Sequence, residues 1–305
     1  MRIVVALGGN ALLRRGEKPD AGIQLDHIRS AALSLAPLAG EHELLICHGN
    51  GPQVGMLSLE SENDKDLTRS YPLDVLVAQT QGMIGYWLVQ SLGNAGIGKP
   101  VLAVVTQTVV DPADPAFAQP SKFIGPGYPE PQARQLALRH GWQIAQDGSA
   151  WRRVVASPAP LRIVEQDLIT DLLDRGVVLV CAGGAGIPVA QHEGVLVGVD
   201  AVIDKDLTAA MLATTVRADR LIILTDVSAI MSDFGTPQAR PLRELGLEQL
   251  AQLTFPAGSM GPKVAACRQF VETTGHPASI GALTDAAHIL AGTAGTTISR
   301  TRVLP

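Results

Sequence analysis

Three times in this chain an apolar run ends in a glycine-rich turn: Val5-Ala6-Leu7-Gly8-Gly9-Asn10, Ile46-Cys47-His48-Gly49-Asn50-Gly51 and Val180-Cys181-Ala182-Gly183-Gly184-Ala185-Gly186. Glycines directly after a parallel strand let backbone amides point inward at the carboxyl edge of a sheet, where anions bind. Lysines stand in three short stretches elsewhere. Lys205 lies between two carboxylates in Asp204-Lys205-Asp206, just ahead of a helical pattern, where Asp206 can cap the helix or orient the lysine. Lys263, in Gly258-Ser259-Met260-Gly261-Pro262-Lys263, falls in the first turn of another helical pattern. The helix dipole disfavours a cation there, so an anion is expected nearby. Lys122 sits in Pro120-Ser121-Lys122-Phe123-Ile124-Gly125-Pro126, with Trp151-Arg152-Arg153 further on. Backbone donors together with ammonium groups suit a phosphate-like anion.

Neither standard phosphate loop is present. Gly49-Asn50-Gly51-Pro52-Gln53-Val54-Gly55 has the wrong last spacing for a dinucleotide fingerprint and places Pro at a first helical position. Lys263 is followed by Val264, not by the Ser or Thr of a Walker A loop. His48 beside Cys47 reads as structural, since neither has a second ligand at metal spacing.

The elements that must carry these turns alternate along the chain. Ile3–Leu7, Leu44–Cys47, Val101–Thr106, Val177–Cys181 and Leu221–Thr225 are apolar on both faces, as in a parallel sheet covered by helices. Helical patterns between and after them are Ala21–Leu38, Leu73–Leu92, Gln132–His140, Glu165–Arg175, Leu207–Val216, Leu247–Leu253 and Met260–Thr274. Residues 111–131 hold six prolines and are expected to form an irregular excursion over a site rather than a central strand or helix.

Composition narrows the class. Of 305 residues 46% are hydrophobic and 17% charged, which suits a globular α/β chain with a large core. The net charge of −5 argues against nucleic acid as a partner. Val75 to Gly98 has no charged residue, but its glutamines, glycines and Asn94 make it a buried helix rather than a membrane span. Three widely spaced cysteines, Cys47, Cys181 and Cys267, suit a reducing cytoplasm. Glycine is in surplus, 31 residues where ~7% would give about 21. Gly8, Gly9, Gly49, Gly51, Gly183, Gly184, Gly186, Gly258 and Gly261 lie in the turns already named, so the surplus is local.

Taken together, Leu7-Gly8-Gly9-Asn10-Ala11-Leu12, His48-Gly49-Asn50-Gly51-Pro52-Gln53-Val54-Gly55, Tyr71-Pro72-Leu73-Asp74-Val75-Leu76, Gln81-Gly82-Met83-Ile84-Gly85-Tyr86, Ala201-Val202-Ile203-Asp204-Lys205-Asp206-Leu207 and Gly258-Ser259-Met260-Gly261-Pro262-Lys263-Val264 resemble the carbamate kinases of the amino-acid kinase family. The resemblance runs from Ile3 to Ile298. It implies a three-layer αβα sandwich with a mainly parallel central sheet and a small protruding subdomain. Residues 1–305 would form one such domain, with 1–200 a carbamate-binding lobe, 111–162 its lid, and 201–305 a nucleotide-binding lobe. A cytoplasmic homodimer is implied, interconverting ATP plus carbamate with ADP plus carbamoyl phosphate with magnesium bound alongside the nucleotide. By the same resemblance Gly8, Gly9, Asn10, Gly49, Asn50, Gly51, Gly183 and Gly184 approach phosphate and carbamate. Lys205, Lys263 and the lid's Lys122 stabilise charge, and Asp206 orients lysines. Asp226, Val227, Met231, Met260 and Pro262 lie near the nucleotide. Carbamate is already an anion, so no general base and no protein metal ligands are required.

Some positions depart from the family pattern. Ala185 stands where a glycine is usual, and a methyl group fits there only if residue 185 needs neither positive φ nor close ligand approach. Ser228 and Met231 replace a usual carboxylate and aromatic ring. Two further readings therefore stand beside the first: a kinase of another small carboxylate, chosen by Lys122, Arg152 and Arg153, or a weakly catalytic binding homologue. The pathway, arginine fermentation or purine-derived carbamoyl phosphate breakdown, is left open.

Overall fold

The computed structural model describes residues 1–14, 16–255 and 260–301. Eight strands form the central sheet in the order Glu244–Gly246, Thr296–Ser299, Ala278–Ala282, Arg220–Thr225, Arg2–Leu7, Glu43–His48, Val178–Val180, Val101–Ala103. Neighbours are parallel except Ala278–Ala282 and Thr296–Ser299. The period of two along each strand sends alternate residues to opposite faces. Val4, Ala6, Leu45, Leu221 and Ile223 meet the buried side chains of helices Gln166–Asp174, Lys205–Thr215 and Met260–Thr274. Ile3, Val5, Leu7, Leu44, Ile222 and Leu224 meet those of Ala21–Glu41, Leu73–Asn94 and Ala286–Leu290. Both faces are covered, which is why these strands read as unbroken apolar runs, and the three-layer αβα expectation holds.

Helix Leu73–Asn94 buries Leu76, Ile84, Leu88 and Leu92. Its N-cap is Pro72, which supplies no side-chain acceptor; the Leu73 N–H instead donates to Asp200 Oδ1 at 3.0 Å. Among the described residues no helix is long and apolar enough to cross a membrane.

Two sequence expectations need correcting. The run Val101–Thr106 does not make one strand: Val101–Ala103 ends the main sheet, and Gln107–Val110 enters a second sheet with Pro160–Ile163, Ile187–His192 and Val195–Gly198. At the break Thr106 N donates to Gln81 Oε1 at 2.9 Å, a side chain replacing the lost ladder partner. Nor is 111–131 irregular throughout. Lys122–Tyr128 is an edge strand of a three-stranded antiparallel sheet with Ala150–Val155 and Gln143–Asp147, flanked by helix Glu130–His140. Pro126 is tolerated because the register shifts between Ile124 and Tyr128, a bulge on an outer strand.

Candidate active site

The first two glycine turns meet at the carboxyl edge of the central strands, since Arg2–Leu7 and Glu43–His48 are parallel neighbours with Leu7 opposite His48. A Cβ placed on Gly49 would lie 3.0 Å from the Gly9 nitrogen and 3.4 Å from Cδ of Lys205. One placed on Gly8 would lie 3.2 Å from the Leu224 carbonyl oxygen and 3.9 Å from Oγ1 of Thr225. One on Gly51 would be 3.9 Å from the Phe123 carbonyl oxygen, next to Lys122. Backbone of both turns, Lys205, the end of strand Arg220–Thr225 and the strand Lys122–Tyr128 therefore surround one point.

The charges there are arranged around Asp206, 3% exposed. Lys205 Nζ donates to its Oδ1, and Lys263 Nζ to its Oδ2 at 3.2 Å. This is the anion expected beside a lysine in the first turn of helix Met260–Thr274. Burial pushes the Lys205 ammonium below its usual range, partly offset by Asp206, with Lys263 pushing further down. The helix of the Asp-Lys-Asp motif starts at Lys205, two residues earlier than its hydrophobic pattern indicates, so its cap is Asp204 and not Asp206. Asp204 Oδ1 accepts from the N–H groups of Asp206 at 2.9 Å and Leu207 at 3.4 Å. Its Oδ2 accepts from Lys122 Nζ, which reaches it from the edge strand Lys122–Tyr128. Burial alone would raise the Asp204 carboxyl, but Lys122 and Lys205 hold it well below the usual carboxylate range.

The third glycine turn lies behind the second. A Cβ on Gly183 would overlap the His48 ring, and one on Gly184 would overlap the Asn50 amide. Asn50, 2% exposed, donates from Nδ2 to Thr80 Oγ1 at 2.8 Å. His48 donates from Nδ1 to the Gly49 carbonyl at 3.0 Å, and burial lowers its pKa to about 4. Ala182 N donates to Thr106 Oγ1 at 2.8 Å, and the Ala185 carbonyl accepts from Thr108 Oγ1 at 2.7 Å. Gly183 and Gly184 are thus the seat on which Asn50 and His48 rest. Ala185 does take positive φ, 75°, contrary to the condition its sequence sets, and its methyl group packs in an apolar cluster with Val110 and Ile203.

On the opposite side, Asp226 and Val227 follow the strand Arg220–Thr225, and Thr225 Oγ1 donates to Asp226 Oδ1 at 3.0 Å. Met231 lies in the short strand Ile230–Ser232, paired with Arg240–Leu242. Met260 and Pro262 open the helix that carries Lys263. The Asn10 side chain, Gly258 and Ser259 lie outside the described residues.

The two arginines set aside for acceptor choice, both on strand Ala150–Val155, are already engaged. Arg152 donates from Nη2 to the Gly125 carbonyl at 2.8 Å and from Nη1 to Asp147 at 2.9 Å. Arg153 Nη1 reaches helix Gly51–Asn63, at 2.7 Å from Ser58 Oγ and 2.8 Å from Glu62 Oε1. Glu62 also accepts from Trp142 Nε1 at 3.0 Å and lies 3.2 Å from His140 Nδ1. This buried cluster seats the three-stranded sheet on the helix that begins at Gly51. Sequence reasoning missed both Glu62 and the role of Asp204. An aspartate before a helix is a cap signature that would have found the latter; nothing local marks the former.

The amino acid kinase family model matches residues 1–282. The chain belongs to that family. Among relatives of this amino acid kinase, the carbamate kinase of Escherichia coli (strain K12) is 50% identical over 297 residues, covering 97% of this chain and 99% of its own. That of Rhizobium meliloti (strain 1021) is 48% identical over 303 residues, covering 98% and 93%. The solved carbamate kinase from Giardia lamblia bound to citric acid superposes with a TM-score of 0.92 at 39% identity over 98% of each chain.

Proposed function

We propose that this amino acid kinase is a carbamate kinase, moving a phosphoryl group reversibly between ATP and carbamate and making ATP from carbamoyl phosphate and ADP. The observation that carries this is the buried Asp206 holding Lys205 and Lys263 beside the Gly9 and Gly49 turns, with Lys122 reaching in from the lid. Phosphoryl transfer needs positioning and cations around the equatorial oxygens more than proton transfer. Three ammonium groups supply those cations. Asp206, fixed by burial, keeps two of them at a set separation so that they need not reorganise as charge develops. Backbone N–H groups of Gly9 and Gly51, with Asn50, are assigned to the phosphoryl and carbamoyl ends; the Gly8 and Gly49 N–H groups donate to the Leu224 and Leu7 carbonyls at 2.9 Å, so these two glycines contribute bare backbone that allows close approach. Gly183 and Gly184 act through Asn50 and His48 from behind. Thr225 to Val227, Met231, Met260 and Pro262 are assigned to the nucleotide.

Magnesium fits this donor set as an ion carried by the nucleotide. Asp206 is committed to lysines, and no group of three His, Cys, Asp or Glu suited to a metal occurs among the described residues. Bound there, it would neutralise phosphate charge. The reading includes residues 111–162 as a lid and the cytoplasm as compartment, supported by three buried free cysteines. It also includes a homodimer, supported by exposed apolar side chains at and beside one edge of the sheet: Leu102 at 44%, Val105 at 56% and, on helix Leu73–Asn94, Tyr86 at 59%.

Incubating the protein with ADP, magnesium and carbamoyl phosphate, and coupling ATP formation to a dye, tests the activity directly. Acetyl phosphate in parallel tests a broader acyl phosphate specificity. Lys205→Ala is expected to lower kcat by about 100-fold or more while the chain stays folded. Turnover within a few-fold of the parent would remove Lys205 from the chemistry.

A further inference from the structure

The carboxylate of Asp204 joins two parts of the molecule that have no covalent reason to be in register. Its Oδ1 caps helix Lys205–Thr215 by accepting from Asp206 and Leu207 N–H groups. Its Oδ2 accepts from Nζ of Lys122, 82 residues away, in the edge strand of the lid. Serine, threonine or asparagine would cap this helix as well as aspartate does. Each of those offers a single acceptor oxygen or a neutral amide. Only aspartate provides a cap and a second, anionic oxygen at once, so the residue type is explained by the lid lysine and not by the helix.

We propose that Asp204 is the positioning residue for Lys122. It fixes the lid lysine in register with the helix whose first residue is Lys205. Lys122 has Asp204 as its hydrogen-bond partner, and an ammonium carries three N–H donors, so two remain to meet a phosphoryl oxygen. Because Lys205 is the residue after Asp204, the same carboxylate sets the spacing between the lid cation and the pair held by Asp206. The geometry of Lys122 toward substrate is then independent of how freely its own four-carbon stem moves. This rests on the carbamate kinase reading for its kinetic consequence, but not for its structural one.

Asp204→Asn keeps the cap and removes the charge. It is expected to raise KM for carbamoyl phosphate roughly ten-fold, the loss typical of a charge-assisted hydrogen bond, with KM for ADP unmoved. In a Lys122→Ala background the same substitution should change KM for carbamoyl phosphate less than two-fold, because its partner is already gone. Hydrogen exchange, which needs no turnover, should show faster exchange across 122–128 in Asp204→Asn while helix Lys205–Thr215 stays protected. If the asparagine variant leaves both KM for carbamoyl phosphate and lid exchange unchanged, or its effect persists fully without Lys122, the proposal is overturned. Faster lid exchange in a protein whose parent form makes no ATP from carbamoyl phosphate would uphold the latch and reject the carbamate reading instead.

Discussion

Residue 185 carries a side chain where the backbone favours none. Left-handed φ costs an L-residue roughly 1–2 kcal/mol, yet the methyl group of Ala185 returns part of this by burial against Val110 and Ile203, about 0.8 kcal/mol for one methyl-sized group. Glycine at the same place would also lose more chain entropy on folding, by roughly 0.5–1 kcal/mol. These terms nearly cancel, so Ala185→Gly is expected to move stability by no more than about 1 kcal/mol in urea unfolding. It should leave both KM values within two-fold, because the methyl group packs against Val110 and Ile203. From sequence alone residue 185 read as a place where a methyl group fits only without positive φ or close ligand approach; its packing was not legible, since it depends on a cluster assembled from residues 110 and 203. Lys263 was legible because a cation in the first turn of helix Met260–Thr274 opposes its dipole, and Asp206 because it stands next to a lysine at a helix start in the Asp-Lys-Asp motif. Asp204 was overlooked because the helix start was read from its apolar pattern, which begins two residues late.

Helix Gly51–Asn63 packs closely against strand Lys122–Tyr128. A Cβ on Gly55 would overlap the Gly125 backbone, in the bulge of strand Lys122–Tyr128, so the lid is seated on bare backbone three residues from its lysine. Gly55→Ala must push that strand outward. The expected cost is about 1–3 kcal/mol of overpacking in urea unfolding, with KM for carbamoyl phosphate raised and KM for ADP less affected. An unchanged KM would mean that the lid position is set from the Asp204 side alone. Strands of the central sheet were readable because burial on both faces leaves continuous apolar runs. Ala278–Ala282, Glu244–Gly246 and Thr296–Ser299 were not, being three to five residues long, with alanine, glycine, threonine and serine among them. The seating of the lid was equally hidden: Glu62 and Arg153 are 91 residues apart, and neither sits in a distinctive motif.

For the whole molecule a neutral histidine under the second turn makes stability depend on pH between about 4 and 6.5. Burial holds His48 to a pKa of about 4 when folded, whereas an unfolded histidine titrates near 6.5. Below pH ~6.5 the unfolded chain takes up this proton and the native one does not until about pH 4, so stability is full above that window and falls as pH drops through it. The slope is about 1.4 kcal/mol per pH unit for one proton, on the order of 3 kcal/mol over the window. Urea unfolding at pH 7, 6, 5 and 4.5 should show this decline, and His48→Gln should flatten it by that single proton. A parallel decline in both proteins would place the acid sensitivity elsewhere. The order of the central sheet bears on how the chain is made. Thr296–Ser299 lies between Glu244–Gly246 and Ala278–Ala282, and is hydrogen-bonded to both. During synthesis the strand at 244–246 therefore waits for a partner translated some fifty residues later, and this flank of the sheet closes only after residues 296–299 have left the ribosome.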